Sequence, residues 1–474
     1  MVFSSVSFLF FFLPALMLIY YIVPRQYREI RNLVLLGFSV FFYIYGGLHF
    51  LPVVAASIAL NYICGLLVTP NHTSLMRHFF CAAAVVLGLG LLAWFKYSAF
   101  LAVNLQTLLP GLPVPNVVLP LGISFFTFHG LSYVIDVYRG SAKVQTNPFK
   151  LALYILLFPQ LVAGPIIRYS TIYREVDHRQ ENLTEFTEGA VRFLFGLAKK
   201  MLIANALGGV ADDVFSRSPE TLSMTLSWLG ILSYTAQIYF DFSAYSDMAI
   251  GLGKMFGFHF PENFNYPYIA RSVTEFWRRW HISLTTWFRD YVYIPLGGNR
   301  CQRWKHIRNI AIVWLLTGLW HGAAWTFVAW GLWFFLLLLG EKFIWGKMLE
   351  KCPSVVAHIY TMLMVMLSWV FFRSDSLSYA VCYIGAMFGL GMRVVADGQT
   401  LYYLLEYWPE FAAAIIAAMP VKKVLQGALE KRSSRLAARL LLTWGPKTTA
   451  LILLALSYLK LVTGSFNPFI YFRF

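Results

Sequence analysis

The chain is built from long apolar runs separated by short polar stretches. A helix needs roughly 20 apolar residues to cross about 30 Å of hydrocarbon. Runs of that order occupy residues 2–23, 33–50, 79–100, 228–255, 310–340, 358–372 and 448–462. Further runs at 51–68, 117–138, 151–167, 186–210, 379–392 and 401–419 include several that fall short of a full span. Such segments predict tilted, broken or re-entrant helices, because irregular backbone at membrane depth is tolerated only where protein or a water-filled cavity covers it. The pattern as a whole predicts an all-α, polytopic integral membrane protein with about eleven transmembrane helices plus interfacial and re-entrant ones. The longest polar stretches, 139–150, 168–188, 271–308 and 422–439, are too short for a soluble catalytic domain. A single membrane domain over 1–474 is therefore expected, and any active site should lie within it.

Composition agrees with the pattern. Hydrophobic residues make up 59% of the chain and charged residues 13%, about half the charge of an ordinary soluble domain. The net charge of +16 does not indicate nucleic acid: Lys and Arg sit in short loops between apolar runs, the positive-inside arrangement, facing anionic headgroups of the lipid bilayer. The first run lacks the charged leading region of a cleaved signal peptide. Arg25, Arg28 and Arg31 follow it, which predicts an extracytoplasmic N-terminus. The basic stretch 422–447 likewise places the last span's far end, and the C-terminus, outside. The five cysteines show neither CxxC pairing nor metal spacing, and no metal site is expected.

Ionisable side chains within apolar runs are costly and draw attention first. His321 is the lone ionisable group between residues 311 and 331, amid the small residues Thr317, Gly318, Gly322, Ala323 and Ala324. It could be a catalytic base beside a substrate, or a structural histidine bonded across helices. Asp241 and Asp247 sit in the run QIYFDFSAYSDMAIGLG; an acid–base pair is conceivable, but pairing with a neighbouring helix or an arginine is the favoured, structural reading. The segment 271–308 carries Arg271, Arg278, Arg279, Arg289, Arg300, Arg303, Lys305 and Arg308 against Glu275 and Asp290, with Trp277, Trp280 and Trp287 between them. It predicts an interfacial amphipathic helix at the cytoplasmic surface, ending in the turn Leu296–Gly297–Gly298–Asn299. His281 lies on it, and by composition alone would be a surface residue. Asn263 and Asn265 in FPENFNYPY suit a tight polar turn. No GxSxG, HExxH or P-loop is present.

These segments together are similar to one family. MVFSSVSFLFFFLP, PLGISFFTFHGLSYVIDVYRG, LFPQLVAGPIIR, QIYFDFSAYSDMAIGLGKMFGF, ENFNYPY, TEFWRRWHISLTTWFRDYVYIPLGGNR and LTGLWHGAAWTFVAWG resemble the membrane-bound O-acyltransferases (the MBOAT fold), in the bacterial branch that acylates alginate, peptidoglycan and teichoic acid. The likeness runs from the N-terminus to about Arg373, with core motifs within 117–340, and thins beyond. It implies a bundle of tilted helices around a thin central partition. His321 matches the family's hallmark histidine and His281 the second motif position, which makes both catalytic candidates. The implied donor is an acyl thioester, acetyl-CoA or an acyl carrier, acting as substrate rather than bound cofactor. Arg278 and Arg279, with Trp277 and Asn299, are the candidates for holding it. The C-terminal helix and tail, 448–474, end in GSFNPFIYFRF, which looks like the tail of the accessory peptide in D-alanylation systems. That likeness makes Tyr471 a candidate acyl relay, the alternative being an aromatic belt anchor. An extracytoplasmic partner of the SGNH esterase-like type and a polysaccharide acceptor are implied, at the cytoplasmic (inner) membrane. A transporter or channel for an acyl donor, with no chemistry of its own, is the reading from another class.

Overall fold

A computed structural model describes residues 1–391, 394–431 and 436–464. Among these residues there is no β-strand. Six helices are long and apolar enough to cross a membrane, or seven if a pair bent by 59° over residues 408–430 counts as one span. That is fewer than the roughly eleven crossings expected from the apolar runs, because several runs form short or divided helices. The run 310–340 is one: it belongs to two helices, Arg303–His321 and Trp325–Gly340. The described residues form two compact units, Met1–Ala190 with Met248–Pro261, and Val191–Asp247 with Glu262 onward.

The first unit contains helices α1 (Leu13–Ile22), α2 (Arg28–Gly47), α3 (Leu51–Leu67), α4 (Ser74–Leu105), α5 (Ile123–Tyr138), α6 (Pro148–Leu156) and α7 (Tyr169–His178). Starts follow capping chemistry: Thr73 accepts from Met76 N ahead of α4, and Asn147 accepts from Phe149 N ahead of α6, with Pro148 next. Helix α5 begins after Gly122, whose φ of +69° suits glycine. It is buried on nearly all sides, with α3 and α4 packed against it, and the polar residues it carries, among them His129 and Ser132, are buried with it.

A charged cluster ties the polar ends of this unit. The Glu181 carboxylate accepts from Tyr20 Oη at 2.5 Å and from Arg28, and pairs with Arg31 at 3.1 Å and Arg179 at 3.7 Å. Three guanidiniums against one carboxylate would leave excess charge, but helix ends absorb it. Arg31 donates to Val23 O just after α1 (2.8 and 3.0 Å), and Arg179 to Val176 O in the last turn of α7 (3.1 Å), where the helix dipole is negative. Burial pushes the Glu181 pKa up, but hydrogen bonds from Arg28 and Tyr20 and the surrounding positive charge outweigh it and hold the group at about 2.

The second unit contains α8 (Asn205–Phe215), α9 (Met224–Met255, whose last residues belong to the first unit), α10 (Val273–Arg279), α11 (Ile282–Phe288), α12 (Arg303–His321), α13 (Trp325–Gly340) and α14 (Ser354–Arg373). Helices α12 and α13 form an antiparallel hairpin whose backbones nearly touch. A Cβ on Gly318 would lie 2.5 Å from Phe327 O, and one on Gly331 2.5 Å from Trp314 O, the close approach that small residues permit between membrane helices. Asp247 pairs with Arg192 at 2.8 Å and Lys199 at 2.7 Å, and Asp241 with Lys200 at 2.7 Å.

The segment 271–308 differs from the single interfacial helix expected. It breaks between α10 and α11, and Trp277, Trp280 and Trp287 are buried rather than spread on a membrane surface. Trp277 packs on Trp314 and Phe334, with ring centroids 4.7 and 4.9 Å away. The tryptophan spacing that suggested an amphipathic face serves an internal aromatic core.

Removing one partner from a buried ion cluster strands the others. Glu181→Gln should therefore lower stability by about 3–5 kcal/mol, read as thermal denaturation in detergent. Glu29→Gln, which removes the exposed end of a pair with Lys150, should change it by less than about 1 kcal/mol. Equal effects would mean that the cluster does not hold the unit together. Because the Glu181 pKa is depressed, its contribution is complete above the ordinary carboxylate value of about 4.3 and is lost only as pH falls toward about 2.

Candidate active site

His321 is the last residue of α12. The helix stops because Gly322 takes an extended conformation (φ −170°, ψ 157°), and Ala324 opens α13 two residues later. The imidazole thus stands at a break in an apolar hairpin. It is 7% exposed and enclosed by three rings in edge-on contact: Trp320, Trp330 of α13 and Phe372 of α14, each with its centroid 5.0 Å away.

His281 occupies a second break, between α10 and α11, and is buried, not a surface residue as composition suggested. Its backbone is left-handed (φ 43°, ψ 52°), one of two such non-glycine residues among those described. This conformation is sparsely populated for residues with a Cβ and clusters at functional sites. Nδ1 lies 3.1 Å from Asn263 Oδ1, and the ring meets Phe242 edge-on at 4.6 Å. Burial pushes its pKa down to about 3, so the imidazole is neutral across the physiological range. The two histidines share a neighbour, Trp320, whose ring is 5.8 Å from His281 and 5.0 Å from His321.

The other candidates are dispersed. Trp277 is core. Arg279 is held by Glu275 at 2.8 Å and donates to Asn265 O at 3.0 Å, so its charge is already partnered. Arg278 and Asn299 are exposed, Asn299 following two glycines with positive φ. Asp241 and Asp247 are occupied by the ion pairs above. Tyr471 lies outside the described residues. Asn263, read from sequence as a turn residue, is fully buried and holds His281. Its pairing over 18 positions has no periodic signature.

A cavity of about 360 Å³ flanks the other end of α12. His306, Ile310, Val313 and Trp314 line it from that helix, and Thr274, Tyr293, Leu338, Glu341 and Lys342 complete it. His306 Nε2 lies 2.9 Å from Tyr293 Oη and 3.1 Å from Lys342 Nζ, so the lining holds one cation, Lys342, beside the Glu341 carboxylate.

Comparison with known proteins gives these residues a context. The model of the membrane-bound O-acyltransferase family matches residues 85–384. A probable alginate O-acetylase of Azotobacter vinelandii is 40% identical across the full length of both chains. The peptidoglycan O-acetyltransferase of Helicobacter pylori is 31% identical over all of this chain and 98% of its own. The teichoic acid D-alanyltransferase of Bacillus subtilis is 30% identical over 52% of this chain and 65% of its own. The matched region contains both histidines, both helix breaks and the α12–α13 hairpin, and the chain belongs to the membrane-bound O-acyltransferase family.

Proposed function

We propose that this O-acyltransferase takes an acetyl group from a cytoplasmic thioester and passes it across the membrane toward an extracytoplasmic polysaccharide of the alginate type. The observation that carries this reading is the enclosed imidazole of His321 at the α12–α13 break, in a chain that aligns end to end with a probable alginate O-acetylase. In the chemistry we assign, a hydroxyl oxygen attacks the thioester carbonyl carbon while His321 takes the hydroxyl proton. The tetrahedral intermediate then collapses, the C–S bond breaks, and the departing thiolate recovers the proton from His321. An ester and a free thiol result. Histidine suits the step because its pKa lies near neutrality. His281 works beside it as the second catalytic group. The cavity at residues 306–314 is our candidate entry for the donor's arm, with Lys342 facing its anionic part and the exposed Arg278 attracting it from outside. Acetyl-CoA and an acyl carrier both carry such phosphates.

The acceptor of this first transfer is, in our reading, the Tyr471 hydroxyl. A phenol of pKa about 10 leaves more readily than an aliphatic alkoxide, so an acetyl-tyrosine remains able to pass on its load. The protein sits in the cytoplasmic (inner) membrane with both termini outside, and an SGNH-type partner there receives the acetyl group and esterifies the polymer. The remaining crossings, up to about eleven, come from the shorter helices.

His321→Ala should leave the protein inserted in the membrane and lower polymer O-acetylation by at least about 10²-fold, the lower end of general-base contributions. His321→Asn should do no better, since an amide does not take the proton. Near-normal acetyl content in cells carrying either variant would sink the assignment. For topology, a cysteine at Ser465 should react with an impermeant maleimide on intact cells, and one at Arg300 only after permeabilisation. The reverse at Ser465 would leave Tyr471 on the wrong side. Tyr471→Phe keeps the ring and removes the hydroxyl. Activity should fall nearly as far as in His321→Ala, and the C-terminal peptide should gain one acetyl mass when the extracytoplasmic partner is deleted. A fully active Tyr471→Phe enzyme would return the residue to the role of a membrane anchor.

A further inference from the structure

Asn263 offers two oxygens to the break that carries His281. Its backbone carbonyl accepts from Ile282 N at 2.9 Å. Its side-chain Oδ1 accepts from Ser283 N at 3.2 Å and from Ser283 Oγ at 2.9 Å, and faces His281 Nδ1 at 3.1 Å. On the other side, Nδ2 donates to Ser246 Oγ at 3.0 Å. Asn263, His281, Ser283 and Ser246 are all buried.

Proton positions follow from this arrangement by elimination. A backbone N–H is an obligate donor, so the Asn263 atom beside Ser283 N must be the oxygen and not the amide nitrogen. That oxygen only accepts, so the His281 Nδ1 facing it carries a hydrogen. A neutral imidazole has one N–H, and Nε2 is therefore bare. Among the described residues Nε2 finds no hydrogen-bond partner, although such buried acceptors are nearly always satisfied. Phe242 and Trp320, the rings against it, bring no charge.

We propose that Asn263 is a positioning residue for acyl transfer: it locks His281 as the Nδ1–H tautomer and so leaves Nε2 a bare acceptor, able to take a hydrogen bond from a donor group of the reactants while His321 takes the hydroxyl proton. His281 then never donates to the tetrahedral oxyanion, which must be stabilised by other groups. The inference rests on the reading of His281 as a catalytic group. Asn263 also caps the first two amides of α11, so the test has to separate support of the fold from support of the chemistry.

The full-length protein labelled with nitrogen-15 histidine, in lipid nanodiscs, reports the tautomer directly. His281→Asn identifies the His281 signals among the ten histidines. The expected spectrum has a protonated Nδ1 and a bare Nε2; a protonated Nε2 in the wild type overturns the proposal. Asn263→Leu keeps the size and removes the acceptor. Polymer acetylation, normalised to folded protein, should fall by at least about tenfold, within the range general-base help supplies. Asn263→Asp restores an acceptor to which His281, both Ser283 groups and the Ser246 hydroxyl can all donate, and should keep activity within about tenfold of wild type. A folded Asn263→Leu protein with wild-type activity overturns the proposal. If the leucine variant does not fold, the aspartate variant decides: folded and inactive, it overturns the proposal; folded and active, it supports it. His281→Ala with normal activity would remove the catalytic reading of His281 and this inference with it. An inactive His281→Ala beside a fully active Asn263→Leu would remove this inference alone.

Discussion

A helix that stops inside an apolar body frees backbone amides and carbonyls, and each one left unpaired in hydrocarbon costs several kcal/mol. His281 and His321 of the second unit stand at such stops, so the surroundings of each are shaped first by that constraint. At the His281 break, residues 263–265 repair the damage. Asn263 O and Oδ1 receive the leading amides of α11, while Asn265 N donates to Arg279 O at 2.9 Å. At the His321 break the interruption is kept short: Gly322 N still reaches Gly318 O at 3.4 Å, and Phe327 N resumes the helical pattern on Ala324 O at 3.1 Å. A short break is possible because Gly318 and Gly331 let the two helices close together behind it.

The same constraint governs side chains. Charges in this chain are few, and several of the enclosed ones are ion-paired: Glu181 by three arginines whose surplus goes to helix-end carbonyls, the partly buried Asp247 by Arg192 and Lys199, Asp241 by Lys200. Such clusters are weak sources of net stability, because desolvation offsets much of the attraction. They do fix which helix ends meet. Aromatic rings fill the space between. Around His321 three of them close on the imidazole and leave it 7% exposed.

Much of this was legible in the sequence, but unevenly. His321 stood out because one ionisable group in twenty apolar residues has no ordinary explanation. The all-helical membrane class followed from run length, whereas six or seven helices meet the length of a span against the roughly eleven expected. The helix breaks did not, since Gly322 is one of many glycines in apolar runs and nothing local marks it as the one that turns extended. The segment 271–308 misled for a physical reason. Tryptophan beside arginine is the composition of an interface, and the basic residues other than Arg279 are indeed exposed, yet the α12–α13 hairpin covers Trp277 and α14 covers Trp280. Asn263 was visible as a turn former. Its contact with His281 spans 18 residues and depends on how a loop folds back onto a broken helix, which no spacing rule reports.

Two buried histidines, each at a break, also bear on the transfer across the membrane proposed above. An unbroken span offers side chains but keeps its backbone closed, and a wide aqueous pore would hydrolyse a thioester. A break brings an imidazole to mid-chain without opening a channel, because the freed amides are covered by protein rather than by water. Burial then holds His281 neutral, which leaves one of its ring nitrogens without a hydrogen. The feature that makes the site costly to build, a buried Nε2 without a protein partner on a left-handed residue, is thus the one that keeps a lone pair available.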